Sequence, residues 1–296
     1  MAKRPKVSLC IPAYQAEGYL QATIDSVLAQ NYADLEIVIV DNNSSDGTRA
    51  IVENIDDDRV RVHRNAATLS MADNFNLAVQ LCQGTFVKLL CADDTLEPGC
   101  LAAQAAILEN NPGVALVASQ TDFIDDDGVL LLRARGLRGI VGRHSGQRVV
   151  SEIIRSGRNP IGAPVAAMFR RADFDRCGGF DGDLLFVMDM DLWIRLLRNG
   201  DFVGMPYAMA SFRVRTDSTT ALTGASSQLS QQLEFVRRLD NDSRWDVSAF
   251  DRALGRVRAF DMQLRRCLLF EVSRMRVVRR HRRASRSMQH NVSRSV

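Results

Sequence analysis

The sequence predicts an α/β protein built on a mostly parallel β-sheet with helices packed on both faces. Three observations carry that prediction. Apolar runs of strand length alternate with segments of helical spacing through the first 120 residues. The runs are nearly continuous in apolar side chains, as strands covered on both sides must be. Three of them end in polar clusters, and such sheets bind ligands beyond the carboxyl ends of their strands.

The elements follow in order. Val7-Ser8-Leu9-Cys10-Ile11-Pro12 is an apolar run stopped by proline, and residues 17–30 carry Leu20, Ile24, Val27 and Leu28 at helical spacing. Leu35-Glu36-Ile37-Val38-Ile39-Val40 is a β-branched strand ending at Asp41. Ser44-Ser45-Asp46-Gly47-Thr48 supplies N-cap types for a helix over 49–54. Val60-Arg61-Val62 is a short strand, 71–82 a helix closed by Gly84, 86–90 a strand, 98–109 a helix and 114–118 a strand. Beyond about residue 120 the pattern loosens. Leu130-Leu131-Leu132 is strand-like, 136–146 is a loop rich in glycine and arginine, and 149–156 is a short helix. A rigid turn over 159–164 precedes a strand at 165–169, and 189–199 is a helix bearing Leu192, Trp193, Leu196 and Leu197. From Ser226 the chain reads as helical and increasingly basic, which divides it into residues 1–225 and a C-terminal helical extension, 226–296.

The composition, 46% hydrophobic and 25% charged, is that of an ordinary globular protein with a real core. A net charge of +3 is too small to argue for nucleic acid. Six cysteines stand singly without CxxC spacing, so reduced thiols are expected and a zinc site is not. No signal-peptide core and no apolar run of membrane-spanning length occurs, which gives a cytoplasmic expectation. No Gly-x-Gly-x-x-Gly follows the first strand, against a dinucleotide-binding enzyme.

Pro12-Ala13-Tyr14, Asp41-Asn42-Asn43 and Asp93-Asp94 all fall at strand carboxyl ends, so three clusters distant in sequence converge on one rim. Adjacent carboxylates repel each other and resist desolvation. Asp93 and Asp94 therefore read as oxygen ligands for Mg²⁺ or Mn²⁺ shared with a ligand's phosphates. The competing reading is an acidic turn near a helix N-terminus.

Taken together, Val7 to Tyr14, Glu36 to Thr48, Lys88 to Asp94, Gly178-Gly179-Phe180-Asp181 and Asp189-Met190-Asp191-Leu192-Trp193-Ile194-Arg195-Leu196 resemble a family 2 glycosyltransferase of the Rossmann-like GT-A fold. The likeness runs in order from about residue 6 to about residue 220. It implies an inverting transfer of a sugar from a nucleoside-diphosphate donor, with UDP expected, to a hydroxyl of a glycan or lipid-linked acceptor. By resemblance, Pro12, Ala13 and Tyr14 lie against base and ribose, with Glu17 near a ribose hydroxyl. Asp41 accepts from the uracil N3–H, with Asn43 beside it. Asp94 binds the divalent ion and Asp93 faces ribose or sugar. Lys88 reads either as a contact to donor phosphate or sugar or as the partner of an acid. Asp189 resembles the catalytic base; its alternative is an acid favoured at a helix N-terminus. Asp191 is expected to brace that helix and Trp193 to be core.

Three positions depart from the family pattern. Cys91 stands where many members carry a further Asp, Met188 where a Glu usually precedes the base, and Arg215 where many carry a His that contacts metal or diphosphate. Arginine ligates no cation but clamps phosphate, so Arg215 is expected on the diphosphate. The arginines from 274 to 286 follow an amphipathic stretch, which reads either as a contact to an anionic membrane surface, placing the protein peripherally at the inner face of the cell membrane, or as a solvated tail. A sugar nucleotidyltransferase and a non-catalytic nucleotide-sugar binder of the same fold are the alternatives.

Overall fold

The computed structural model describes residues 4–215, 218, 223–240 and 242–261. The basic segment and the amphipathic stretch before it lie outside those residues. In chain order the elements are β1 (Val7–Ala13), α1 (Leu20–Leu28), β2 (Leu35–Asp41), α2 (Thr48–Glu53), β3 (Val60–Arg64), α3 (Met71–Leu81), β4 (Phe86–Leu89), β5 (Thr95–Leu96) and α4 (Cys100–Asn110). There follow β6 (Val114–Ile124), β7 (Leu130–Arg135), β8 (Gly142–His144), α5 (Gly146–Ser156), β9 (Ala167–Arg170), α6 (Arg171–Cys177), α7 (Met188–Leu196), β10 (Asp201–Arg213) and α8 (Ala225–Asp240). A further helical run covers 249–261.

The strands form one sheet in the order β3-β2-β1-β4-β9-β6-β10-β5, with β7 on β6 and β8 on β10. β3, β2, β1 and β4 are parallel, as are β6 and β10. β9 runs antiparallel between β4 and β6, so the sheet is mixed at its centre.

Side-chain alternation sends the two faces of each strand into separate cores. Leu9, Ile11, Ile37 and Ile39 pack with Leu20, Ile24 and Val27 of α1 and Leu101 and Leu108 of α4. Cys10, Val38, Val40 and Leu89 pack on the other face with Val79 of α3 and Trp193 of α7. Phe235, Val236 and Leu239 place α8 in that second core, and Arg238 ties it to Asp181 at 2.6 Å.

Gly84 does not close α3. That helix ends at Cys82 in an extended conformation. A Cβ at residue 84 would lie 2.5 Å from Ser8 Oγ and 2.6 Å from Ser8 N, so glycine is required there by the approach of β1. The strand expected at 165–169 begins two residues later, after a 3₁₀ turn over Pro164–Ala166.

Candidate active site

The carboxyl ends of β1, β2 and β4 form one rim. Ala13 is in register with Asp41, and Asn42 N donates to Ala13 O at 2.8 Å. Pro12 and Ala13 are buried at the strand end, while Tyr14 projects from the rim. The segment after β1 is sewn to the N-terminus of α2. Gln15 N donates to Ser44 Oγ at 3.1 Å and Ala16 N to Thr48 Oγ1 at 2.8 Å. Glu17 Oε2 accepts from Gly47 N, which ties this exposed carboxylate to the same seam.

Asp41 is buried and accepts from Ser44 N at 2.9 Å. Its other oxygen pairs with Arg64 of β3, whose guanidinium also reaches Ser44 O at 3.0 Å and Asn43 Oδ1 at 3.4 Å. Asn43 takes a left-handed φ of 57°, which turns the chain out of β2. Arg64 was not legible as a site residue. It ends an alternating exposed strand, and only the β2–β3 register sets it against Asp41.

Past β4, Asp94 N donates to Cys91 O at 3.1 Å, which closes a turn carrying both acids. Arg213 at the end of β10 braces that turn: its backbone N donates to Asp94 Oδ1 at 2.9 Å and its Nε to Asp93 O at 2.9 Å. Its Nη1 donates to the carbonyls of Asp125 at 2.7 Å and Asp126 at 3.0 Å. Arg215 Nη1 lies 3.4 Å from Asp93 Oδ2, and the Tyr19 ring packs against the guanidiniums of Arg215 and Arg213 at 4.4 and 5.1 Å. Burial raises the Asp93 carboxyl against the opposing pull of Arg215. Asp94 is raised well above the usual carboxylate range by burial and then by the Asp93 charge.

Asp94 Oδ2 is buried with no hydrogen-bond partner among the described residues. An orphaned carboxylate oxygen beside a second carboxylate fits a divalent cation. Among the described residues no group of three or more His, Cys, Asp or Glu side chains is arranged for a metal, so such an ion would take its remaining ligands from donor and water.

Lys88 is corrected. It points into the protein with no exposed surface, and its ammonium donates to Gln104 Oε1 at 2.9 Å, Val165 O at 2.7 Å and Ala167 O at 3.2 Å. All three donors are satisfied internally, so it meets neither donor phosphate nor sugar.

Asp189 stands in the first turn of α7. Its Oδ1 accepts from Met190 N at 2.8 Å and its Oδ2 from Asn159 Nδ2 at 3.1 Å. Asn159 is itself fixed, since its Oδ1 accepts from the backbone N of Ile161 and Gly162. Burial pushes the Asp189 carboxyl up to about 6, with those hydrogen bonds opposing. Asp191 pairs with Arg195 at 2.6 Å, and Trp193 is buried with its Nε1 donating to Gly162 O at 3.0 Å.

Cys91 links the two sides. Its thiol is raised by burial first and then by the charges of Asp94, Asp93 and Asp189 together. The acidic pair and Asp189 thus lie near enough to one thiol for all three charges to act on it. Asp41 stands two strands from β4, roughly 10 Å away at ordinary strand spacing.

Solved structures that share this fold include glycosyltransferases. TarS of S. aureus in complex with UDP-GlcNAc superposes with a TM-score of 0.64 at 16% identity, covering 86% of this chain and 71% of that one. A mannosyltransferase of Pyrobaculum calidifontis in complex with GDP-Man and Mn²⁺ superposes at 0.62 with 19% identity, covering 88% and 70%. The fold is that of a GT-A glycosyltransferase. The family model described as Glycosyl transferase family 2 matches residues 8–178, and the chain belongs to that family. One relative is the UDP-Glc:alpha-D-GlcNAc-diphosphoundecaprenol beta-1,3-glucosyltransferase WfgD of Escherichia coli, 30% identical over 124 residues, which are 42% of this chain and 49% of that protein.

Proposed function

We propose that this glycosyltransferase moves a sugar from a UDP-sugar, with inversion, onto a hydroxyl of a lipid-linked glycan acceptor. The observation that carries the reading is the buried, unpartnered Asp94 Oδ2 beside the Asp93 carboxylate, with the Asp189 charge acting on the neighbouring Cys91 thiol. Asp189, with a carboxyl near 6, is ionised at neutral pH yet basic enough to take the acceptor hydroxyl's proton as that oxygen attacks the anomeric carbon. Asn159 and the Met190 amide hold it in one orientation. Asp94, with Asp93, would hold Mn²⁺ or Mg²⁺, and the ion supplies positive charge to the departing diphosphate. Arg215, beside Asp93, adds charge to the same diphosphate. Pro12, Ala13 and Tyr14 border the base and ribose, and Asp41 and Asn43 form the far end of the nucleotide pocket. The WfgD name supports the UDP-sugar and the lipid diphosphate acceptor, and the mannosyltransferase complex supports the ion.

A thermal-shift screen of nucleotide sugars with and without Mn²⁺ tests the donor class, since stabilisation grows with the logarithm of ligand over dissociation constant. The expected result is a shift with UDP-sugars that requires the ion, and NMR of the product shows the anomeric configuration reversed. No shift with any nucleotide, or retained configuration, overturns the reading.

A further inference from the structure

All six residues of β7 are exposed. Val129, Leu130, Leu131 and Leu132 retain 60%, 38%, 49% and 49% of their surface in water. Successive strand residues point to opposite faces, so apolar side chains are uncovered on both sides of the strand. β7 pairs with β6 through Ile124–Leu130 and Phe123–Leu132, and its outer edge has no strand partner among the described residues. Four consecutive exposed apolar side chains at an unpaired strand edge mark a contact site.

Both ends of this arm are tied to the active site. At its turn, Arg213 donates to the Asp125 and Asp126 carbonyls while bracing the acidic pair, and Tyr19 Oη donates to Asp126 Oδ1 at 3.2 Å. At its far end, Leu137 N donates to Pro160 O at 2.6 Å, one residue from the Asn159 that orients Asp189. The arm therefore runs from the turn braced by Arg213, which also holds the acidic pair, to the segment next to Asn159, which orients Asp189. Behind them, Arg133, Arg135 and Arg138 are exposed, and none forms an ion pair among the described residues. Of the nearby acids, Asp122 accepts from the Ala134 amide, Asp125 from the amides of its own turn and Asp126 from Tyr19, while Asp127 faces outward.

We infer that residues 129–132 insert into the surface of an anionic bilayer while Arg133, Arg135 and Arg138 bind its headgroups, which turns the mouth toward an acceptor anchored in that bilayer. Leucines to enter the acyl boundary and unpaired guanidiniums beside them are the two components of interfacial binding. The acceptor half of this statement rests on the function proposed above; the lipid contact does not.

The test is co-sedimentation of the full chain with vesicles of phosphatidylglycerol and phosphatidylcholine, and with phosphatidylcholine alone. The parent protein sediments with the anionic vesicles and is released by high salt. The exposed triple variant R133Q/R135Q/R138Q loses about fivefold in partitioning per arginine removed, and L131S/L132S loses about tenfold or more. UDP titrated into the same samples in Mn²⁺ binds all three proteins alike. Absence of binding by the parent, or equal binding by all three, overturns the inference while leaving donor recognition intact. A dimer that dissolves in L131S/L132S makes a second copy the occupant and also overturns it. Vesicle binding without UDP binding sinks the proposed function and leaves the arm standing.

Discussion

Replacing Asp189 with Asn separates a catalytic base from a helix-terminal acid, and the structure fixes both sign and size. The folded protein holds the Asp189 proton up to about pH 6, against an ordinary value of 3.8. Because the folded pKa lies above the unfolded one, ionisation opposes folding. The cost begins near pH 4, grows until about pH 6 and is constant above it, where it reaches about 3 kcal/mol at most. Asn escapes that cost but gives up one contact. The amide offers one acceptor where the carboxylate offered two, so either Asn159 Nδ2, which is fixed because its Oδ1 serves Ile161 and Gly162, or Met190 N loses its partner. Losing that hydrogen bond costs about 1 kcal/mol. The net expectation is a variant about 2 kcal/mol more stable than the parent at pH 8, with the advantage falling below about 1 kcal/mol at pH 5. Sugar transfer falls by about 10² to 10⁴, donor affinity is unchanged, and the parent's activity declines on the acid side with an apparent pKa near 6. Urea unfolding at the two pH values and a transfer assay read these quantities. A variant that keeps its activity, or gains no stability at pH 8, refutes the reasoning.

Asp94→Asn relieves a buried charge while keeping the acceptor for Arg213 N, so without ligands it melts about 3 °C above the parent, and it loses the melting shift given by Mn²⁺ with UDP. Arg215→Ala weakens UDP binding by about tenfold or more, read by calorimetry, with little change in melting; an unchanged affinity removes Arg215 from the diphosphate. Lys88→Met strands three buried acceptors and lowers stability by about 3 kcal/mol in urea, while UDP affinity stays within about twofold. A selective loss of UDP affinity there would restore Lys88 to the donor side.

The parallel half of the sheet was legible because β1, β2 and β4 are buried on both faces and their sequences are apolar throughout. Their polar ends marked the rim for the same reason. β10 was not legible as a strand. Gly204 and Pro206 interrupt it, and its pairing with β6 absorbs them through register shifts around Met205 and Ala208. Bulges of this kind leave no regular period in the sequence. The reversal of β9 was hidden too, since direction is set by neighbouring strands and not by composition. Among candidate site residues, Asp41, Asp93 and Asp94 could be placed on the rim because each ends or follows an apolar strand. Arg64 and Asn159 could not, because each acts through a partner 23 or 30 positions away, and the bracing role of Arg213 was hidden by a separation of 119. Asn159 stood in a segment readable only as a turn. Lys88 misled because one lysine in an apolar strand gives no sign of which core face it enters, and here Gln104 and the carbonyls of Val165 and Ala167 receive it.

The central claim is that Asp94 and Asp189 serve opposite sides of one mouth, the first toward the nucleotide and its cation, the second toward the incoming hydroxyl. Calorimetric titration of UDP into the parent, Asp94→Asn and Asp189→Asn proteins, each in Mn²⁺ and in chelator, tests it most directly. Cation-dependent binding of equal strength is expected in the parent and Asp189→Asn, and none in Asp94→Asn. Equal UDP affinity in chelator, or in the Asp94 variant, would contradict it.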